Sequence, residues 1–542
     1  MCPLCGENVD RLIYTFHRAT EESILQKIQA SHPDWSEEQG ACTRCVDLFR
    51  AKLLRENGLL PEVGPYFHLT TMDDYVVIPI PLRMDVNPHY TGKGITICFI
   101  DSGFYPHPDL TRPTNRILEI VDVTNPQQPT ESACTGDSWH GTMTSVVCGG
   151  NGYLSRGLYK GIASEAQLVL VKVKDGGGIS AENIEKAIRW TIRNREKYNI
   201  RIINLSVTDD YPVSFRKSLV DQAAEDAVRA GIVVVAAVGN DPHQSIKPPA
   251  NSPNVIAVGG VDDQNMLGMM SETLYHSTYG TTVDGFQKPE LIAPSIWLAA
   301  PILPGSAEHR YARSLYTILD AEERNLKNVL AAQLDNAKFT PSFLVDNSEL
   351  DIREAVRRRV ADAKYISPDY MHVDGTSFAA PIVCSVVAQM LEANSRLTPR
   401  AVREILVTSA RKLHNRSIER QGYGVVNAKE AVLRAENEDH DFSDSWPNTP
   451  IIDRFNHKII FYYHHHNAAQ VTLAGSFNDW APDSILFERQ HTAIWKAEIP
   501  MLPKGVYFYK FVVDNKLWVD DPENLHRESD GHNAFNSKFL VE

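Results

Sequence analysis

From Gly94 onward, short apolar runs rich in β-branched residues alternate with longer amphipathic stretches, and no other feature of the chain restricts its fold as strongly. Residues 95–100, 167–173, 201–205 and 232–238 are apolar with little polar alternation, the signature of strands buried on both faces. Residues 181–194 and 218–230 carry apolar positions three and four apart and read as helices between those strands. The pattern predicts an α/β domain with a mainly parallel sheet covered by helices on both faces. Chemistry in such sheets gathers beyond the carboxyl ends of the strands, where Asp101, Ser206 and Asn240 stand.

Two further stretches begin helices with polar residues. His140 opens His-Gly-Thr-Met-Thr-Ser-Val-Val-Cys, and Ser377 lies in Asp-Gly-Thr-Ser-Phe-Ala-Ala-Pro, ahead of an apolar helix reaching Leu391. Unpaired amides and the positive dipole end at a helix start favour developing negative charge, which suits a serine attacking a carbonyl. Gly375 permits close backbone approach, and Pro381 falls near the first turn, where proline is tolerated. Taken singly, each residue has a structural explanation: Asp101 as a strand-end cap, His140 as a helix-start residue, Ser377 as an N-cap, Asn240 in a turn.

Taken in order they resemble something specific. Asp101-Ser-Gly with His-Pro-Asp-Leu from His107, then His140-Gly-Thr, Ala-Ala-Val-Gly-Asn240 and Gly-Thr-Ser377-Phe-Ala-Ala-Pro resemble the four signatures of the subtilisin-like serine proteases, over about residues 91–435. Lys-Pro-Glu-Leu-Ile-Ala-Pro at Lys288 adds to the resemblance. It implies a subtilisin-like fold with Ser377 as nucleophile, His140 as general base and acid, Asp101 orienting His140, and Asn240 with the Ser377 amide binding the oxyanion. The chain departs from the family at Val207 and Thr208, where a glycine edge usually pairs with substrate, and at Ala293-Pro294-Ser295. The loop from Asn151 to Gly161 lacks the family's calcium-loop spacing, so calcium is not called for.

Between Pro294 and Gly375 lie 80 residues where the family has a few tens, with helical patterns at 306–337 and 350–363. This predicts a helical insertion at about 301–370, either a surface embellishment or a lid or docking element. Residues 75–81, Tyr-Val-Val-Ile-Pro-Ile-Pro, faintly resemble the short pro-segment of intracellular subtilisins and otherwise read as part of an extended linker at 61–90.

The amino-terminal 60 residues hold two Cys-x-x-Cys pairs, Cys2/Cys5 and Cys42/Cys45, 36 residues apart. Two such turns supply the four thiolates of a closed zinc site, with His17 and His32 left as surface residues. Ile24, Leu25 and Ile28 have helical spacing, so the metal is expected to staple a small helical domain. With no basic and apolar leader at the start, the chain reads as cytoplasmic, its eight cysteines being thiols or metal ligands. A net charge of −14 speaks against nucleic acid or anionic membrane as partner, and the longest unbroken apolar run, 232–238, is far short of a bilayer span.

Residues 436–450 are acidic and aperiodic and read as a linker. Beyond them, alternating strands at 458–463, 470–474, 494–499, 506–513 and 537–541 predict an immunoglobulin-like β-sandwich spanning 451–542. Leu-Ala-Gly-Ser-Phe-Asn-Asp-Trp480, Gly-Val-Tyr-Phe-Tyr-Lys510-Phe-Val-Val-Asp and Trp518-Val-Asp-Asp-Pro resemble the glycogen-binding domain of the AMP-activated protein kinase beta subunit and family 48 carbohydrate-binding modules. The resemblance implies Trp480 and Trp518 as sugar-stacking platforms and Lys510 and Asn536 as hydrogen-bond donors to a glycogen-like glucan. His532 replaces an apolar residue of that family, which leaves protein docking as the other role for the sandwich. The run His464-His465-His466 reads as an exposed strand end, since alternation sends its middle imidazole to the opposite face.

The expected function is an intracellular serine endopeptidase acting on protein or peptide substrates and regulated by its accessory parts. Its alternatives are an acyl transferase or macrocyclase using the same triad, and a gated or inactive protease serving as a scaffold.

Overall fold

The computed structural model describes residues 1–6, 12, 18–42, 45–46, 49, 77–125, 137–265, 272–438, 449–490 and 493–542; Cys134, His17 and the stretch around Tyr75 lie outside them. At the amino end helix α1 (Arg18–Ser31) buries Ile24, Leu25 and Ile28 against Trp35, Val46 and Phe49. The chain after Val77 is docked and not extended. Ile80–Arg83 forms one helical turn, and the buried Arg83 guanidinium grips both Asp263 oxygens (2.8 and 2.5 Å) and the Trp297 carbonyl (2.5 Å).

Seven parallel strands run through the eight-stranded central sheet: β1 (Thr96–Asp101), β2 (Ile117–Asp122), β3 (Gln167–Lys172), β4 (Ile200–Leu205), β5 (Val233–Ala237), β6 (Ile256–Asp262) and β7 (Leu291–Pro294), in the order β7-β6-β5-β4-β1-β3-β2, and the short antiparallel Thr273–Leu274 pairs with the end of β6. Strand alternation splits the core in two. Ile97 and Phe99 face one apolar layer, shared with helices α2 (Ser138–Gly149) and the long α9 described below. Cys98 and Ile100 face the other, covered by α3 (Ala181–Tyr198) and α4 (Leu219–Arg229). Helix α3 starts where Ser180 accepts from the Asn183 amide and stops at Asn199 in the left-handed region, so its capping residues fix its length.

After β7 come β8 (Leu298–Pro301) and four helices, α5 (Ala307–Leu319), α6 (Leu326–Gln333), α7 (Pro341–Asp346) and α8 (Glu349–Asp362), then β9 (Tyr365–Ser367) and β10 (Tyr370–Val373). The helical group has its own core of Leu315, Ile318, Leu326, Leu330, Ile352 and Val356. It is tied back by His309 Nε2 to Asp369 (2.8 Å) and by the Tyr370 hydroxyl, which donates to Asp109. Helix α9 (Thr376–Ala393) is apolar and long enough to cross a membrane, but it is packed inside the fold between the sheet and α2. Helices α10 (Pro399–Ser409) and α11 (Ala428–Asn437) complete that layer.

The carboxyl-terminal sandwich has one sheet of β11 (Ile451–Asp453), β12 (Lys458–His464), β14 (Glu488–Arg489) and β15 (Ile494–Pro500). The facing sheet has β13 (Val471–Gly475), β16 (Gly505–Val513), β17 (Leu517–Val519), β18 (Arg527–Ser529) and β19 (Phe535–Val541). Phe461, Trp495, Tyr509, Phe511 and Phe539 fill the space between. The sandwich seats on the α/β part: Arg403 donates to the Pro522 carbonyl (2.8 Å), Arg400 pairs with Glu523 (3.0 Å), and the Arg527 guanidinium lies 4.2 Å over the Tyr423 ring. A cleft of about 440 Å³ remains at this seam, lined by Phe286, Arg400, Asn524 and His526 among others.

Candidate active site

Strand β1 ends on Asp101, whose buried carboxylate is held by three donors. The Ser102 amide donates to it at 2.6 Å, the Thr144 hydroxyl at 3.3 Å, and His140 Nδ1 lies 2.7 Å from its Oδ1. His140 sits in the first turn of α2, which reaches β1 because Gly141 follows: a Cβ there would stand 2.4 Å from the Gly103 carbonyl oxygen and 2.9 Å from Asp101 Cβ. Burial alone pushes the His140 pKa down, but the Asp101 charge and hydrogen bond outweigh it, so the imidazole ends above its ordinary value.

Ser377 is half-buried at the start of α9, and the ring of the adjacent Phe378 lies 6.0 Å from the His140 ring. The Ser377 carbonyl accepts from Ser206 Oγ (2.8 Å), itself held by Asn204 Nδ2 (3.1 Å), so the end of β4 anchors the serine backbone. Asn240, exposed beyond β5, accepts with Oδ1 from the Thr376 amide (2.8 Å) and hydroxyl (2.9 Å), which turns its Nδ2 the other way. Gly375 precedes this turn with φ +136° and an ideal Cβ 3.5 Å from Asn240 Nδ2, a conformation that favours glycine. Trp139 was not singled out by the sequence. It is 49% exposed and packs edge-on against the His140 ring at 5.3 Å, an apolar wall beside the imidazole.

Two other groups of side chains converge. Cys2 Sγ lies 3.9 Å from Cys45 Sγ, and Cys5 Sγ 3.9 Å from Cys42 Sγ. Bonds of about 2.3 Å to one ion would give tetrahedral edges of about 3.8 Å, so the four sulfurs are spaced to hold a metal. The Cys45 thiol donates to Cys42, which brings the Cys42 pKa down and the Cys45 pKa up, as in a pair of sulfurs sharing one proton. His32 stacks edge-on against Phe49 and is no part of the cluster.

On the sandwich, Trp480 and Trp518 come within 6.5 Å of each other, ring centroid to centroid, and Trp518 is 41% exposed. Val512 pairs with Trp518, and Tyr509 with Ser537, so Trp518, Lys510 and Asn536 share the face of β16 and its neighbours opposite the Tyr509 and Phe511 core. Lys510 differs from expectation: it is buried, and its Nζ is paired with Asp530. His532 is exposed beside it, its backbone amide bonded to Asp530 (2.7 Å). The histidine run also departs from an exposed strand end. His464 is buried against Glu404 (Nδ1 to Oε1, 2.6 Å), because the α/β part covers the end of β12.

A paired carboxylate and imidazole, a serine opening an apolar helix and a side-chain amide, all at the carboxyl edge of a parallel sheet, are the equipment of a serine-type endopeptidase. The chain belongs to the subtilase family, whose family model matches residues 92–424. Residues 458–539 match the model described as the glycogen recognition site of AMP-activated protein kinase. The chain is 31% identical over 353 residues to serine protease AprX of Bacillus subtilis (strain 168), an alignment covering 63% of this chain and 67% of that protein. It is 32% identical over 201 residues to minor extracellular protease Epr of the same organism, covering 36% of this chain and 28% of Epr. Among solved structures, the S41 psychrophilic protease aligns at 21% identity with a TM-score of 0.44, over 62% of this chain and 92% of that one.

Proposed function

We propose that the protein is an intracellular serine endopeptidase whose nucleophile is Ser377. His140 takes the proton from Ser377 Oγ as that oxygen attacks the scissile carbonyl carbon, and Asp101 holds the Nδ1–H and stabilises the imidazolium. The oxyanion is received by Asn240 Nδ2 and the Ser377 amide. Protonated His140 then passes the proton to the leaving amine, and water hydrolyses the acyl-enzyme by the same route. The observation that carries this reading is the 2.7 Å bond between His140 and a buried, triply held Asp101 beside the start of α9. A fluorophosphonate probe is expected to form one adduct, on Ser377; equal labelling of folded Ser377→Ala protein would sink the assignment.

The thiol cluster of Cys2, Cys5, Cys42 and Cys45 holds a structural zinc ion in this reading, and reduced thiols of that kind suit the cytoplasm. Metal analysis should find zinc that a Cys42→Ser/Cys45→Ser variant loses. The sandwich binds a glycogen-like glucan: the paired rings of Trp480 and Trp518 offer apolar faces to glucose rings, with Asn536 on the same face and Lys510 engaged with Asp530.

A further inference from the structure

Strand β12 runs out through three histidines. Alternation sends His465 to one side, where its ring lies 5.9 Å from that of Tyr463, and sends His464 and His466 to the other. The two outer rings lie 4.7 Å apart, centroid to centroid, at 79°. Facing them is Glu438, one residue beyond α11 of the peptidase. Its Oε1 is 3.2 Å from His466 Nε2 and 3.8 Å from His464 Nε2, and the three atoms all lie within 4.8 Å of one another.

We propose that Glu438, His464 and His466 form a binding site for a divalent transition-metal ion, zinc by its donor set, which clips the sandwich onto the peptidase. Glu438 Oε1 and His466 Nε2, 3.2 Å apart, are within hydrogen-bond reach but farther apart than the about 2.7–2.9 Å of a charge-assisted bond. Four ligands at about 2.0–2.1 Å around one ion stand about 3.3 Å apart instead, and the observed 3.2 and 3.8 Å bracket that edge. Two imidazoles and a carboxylate are the donors zinc uses when a fourth position stays open to solvent. His466, with 29% of its side chain exposed, leaves a way in.

The surroundings supply what such a site needs beyond its ligands. Glu404 of α10 accepts from His464 Nδ1 at 2.6 Å, so Nε2 is the nitrogen turned toward Glu438. A carboxylate behind a ligating histidine is the usual outer support of a zinc site. Charge points the same way: Glu404 and Glu438 are about nine-tenths buried around His464, so positive charge has to stand between them, and a doubly charged ion supplies in full what one protonated imidazole supplies by half. Glu523, which also acts on His464, is already paired with Arg400.

The test uses the full chain, stripped with a chelator and titrated with zinc, then with cobalt. Wild type is expected to bind one equivalent more than His466→Gln, and Glu438→Gln should show the same loss in a second, independent background. The cobalt spectrum separates this site from the cysteine cluster: thiolate-to-metal charge transfer should persist in both variants, while the weaker visible bands of the nitrogen and oxygen site vanish. Glu404→Gln should keep the stoichiometry and weaken the second equivalent about 10- to 100-fold, the effect of losing an outer-shell carboxylate. Equal metal content in wild type and the two ligand variants would overturn the proposal and leave these groups as a proton-held interdomain contact.

Discussion

The edge of the central sheet and the outer face of the sandwich each gather chemically equipped side chains, but they hold them in opposite ways. At the sheet edge Asp101 is fully buried, Asn240 Oδ1 is pinned twice by Thr376, and the Ser377 carbonyl is tied to Ser206. On the sandwich Trp518 stands out of its strand, and what organises it is the neighbouring Trp480 ring. Proton transfer needs heavy atoms placed within hydrogen-bond reach, so its groups are fixed by both backbone and side-chain donors. Sugar stacking needs flat apolar area, which tolerates a looser mount.

The largest effect that could break this contrast is on the tight side. Asp101→Asn keeps the shape and most hydrogen bonds of the carboxylate but lets His140 settle in the wrong tautomer. A fall in kcat of about 10⁴-fold is expected, with a near-native circular dichroism spectrum. A loss of tenfold or less would mean that the site carries slack and that the contrast is misdrawn.

Next comes the sandwich, where tryptophans at two depths make opposite forecasts. Trp495 is core, 5% exposed, and Trp495→Ala should destabilise by about 3–5 kcal/mol. Trp518→Ala should shift stability by no more than about 1 kcal/mol while abolishing retardation of the full chain in a native gel containing glycogen. If Trp518→Ala unfolds the protein as readily as Trp495→Ala, the ring is structural and the platform reading fails.

A third, smaller effect belongs to Trp139, the apolar wall at the tight site. Trp139→Ala should lower kcat/KM for peptides with an apolar residue beside the scissile bond about fivefold, on the order of 1 kcal/mol. Peptides with a small polar residue there should be spared. Uniform loss across both sets would make Trp139 a prop for His140 instead of a surface for substrate.

The same contrast explains what could be read in the sequence. The gathering of Asp101, His140, Asn240 and Ser377 at one edge of the sheet could be read from the sequence because each sits at a strand end or helix start, where local pattern fixes position. Strand β2 could not: Glu119 interrupts its apolar run, and the half-buried strand lies at the sheet edge. Gly259 and Gly260 similarly weaken the strand signal of β6, although the strand is buried almost throughout. Trp139 gave no signal, because an exposed aromatic has no periodicity to betray it. Alternation placed His464 and His466 on one side, but Glu404 and Glu438 meet them only through the seating of the sandwich on the peptidase, which no local pattern encodes. Lys510 shows the same limit, since its pairing with Asp530 depends on the turn between β18 and β19.

The smallest effect is a displaced titration, and it isolates what Asp101 does. His107 and His140 are histidines of one domain with opposite fates. Burial drives His107 down to about 3, against the weaker pull of Asp369. His140 feels the same depression, yet the Asp101 carboxylate carries it above its ordinary value. Catalysis needs the neutral imidazole, so kcat/KM should rise with pH through a midpoint above that of a free histidine, about 6.5. For stability the sign is reversed: a raised folded pKa means the native state binds the proton more tightly. The His140 contribution is therefore complete below about pH 6.5 and disappears as pH climbs through the folded value. Asp101→Asn removes the opposing charge and leaves burial in command, so the His140 ring signal, followed by NMR, should titrate below 6.5, in the direction of His107. A midpoint that stays above 6.5 in that variant would show that another group holds the proton, and that the paired carboxylate sets geometry alone.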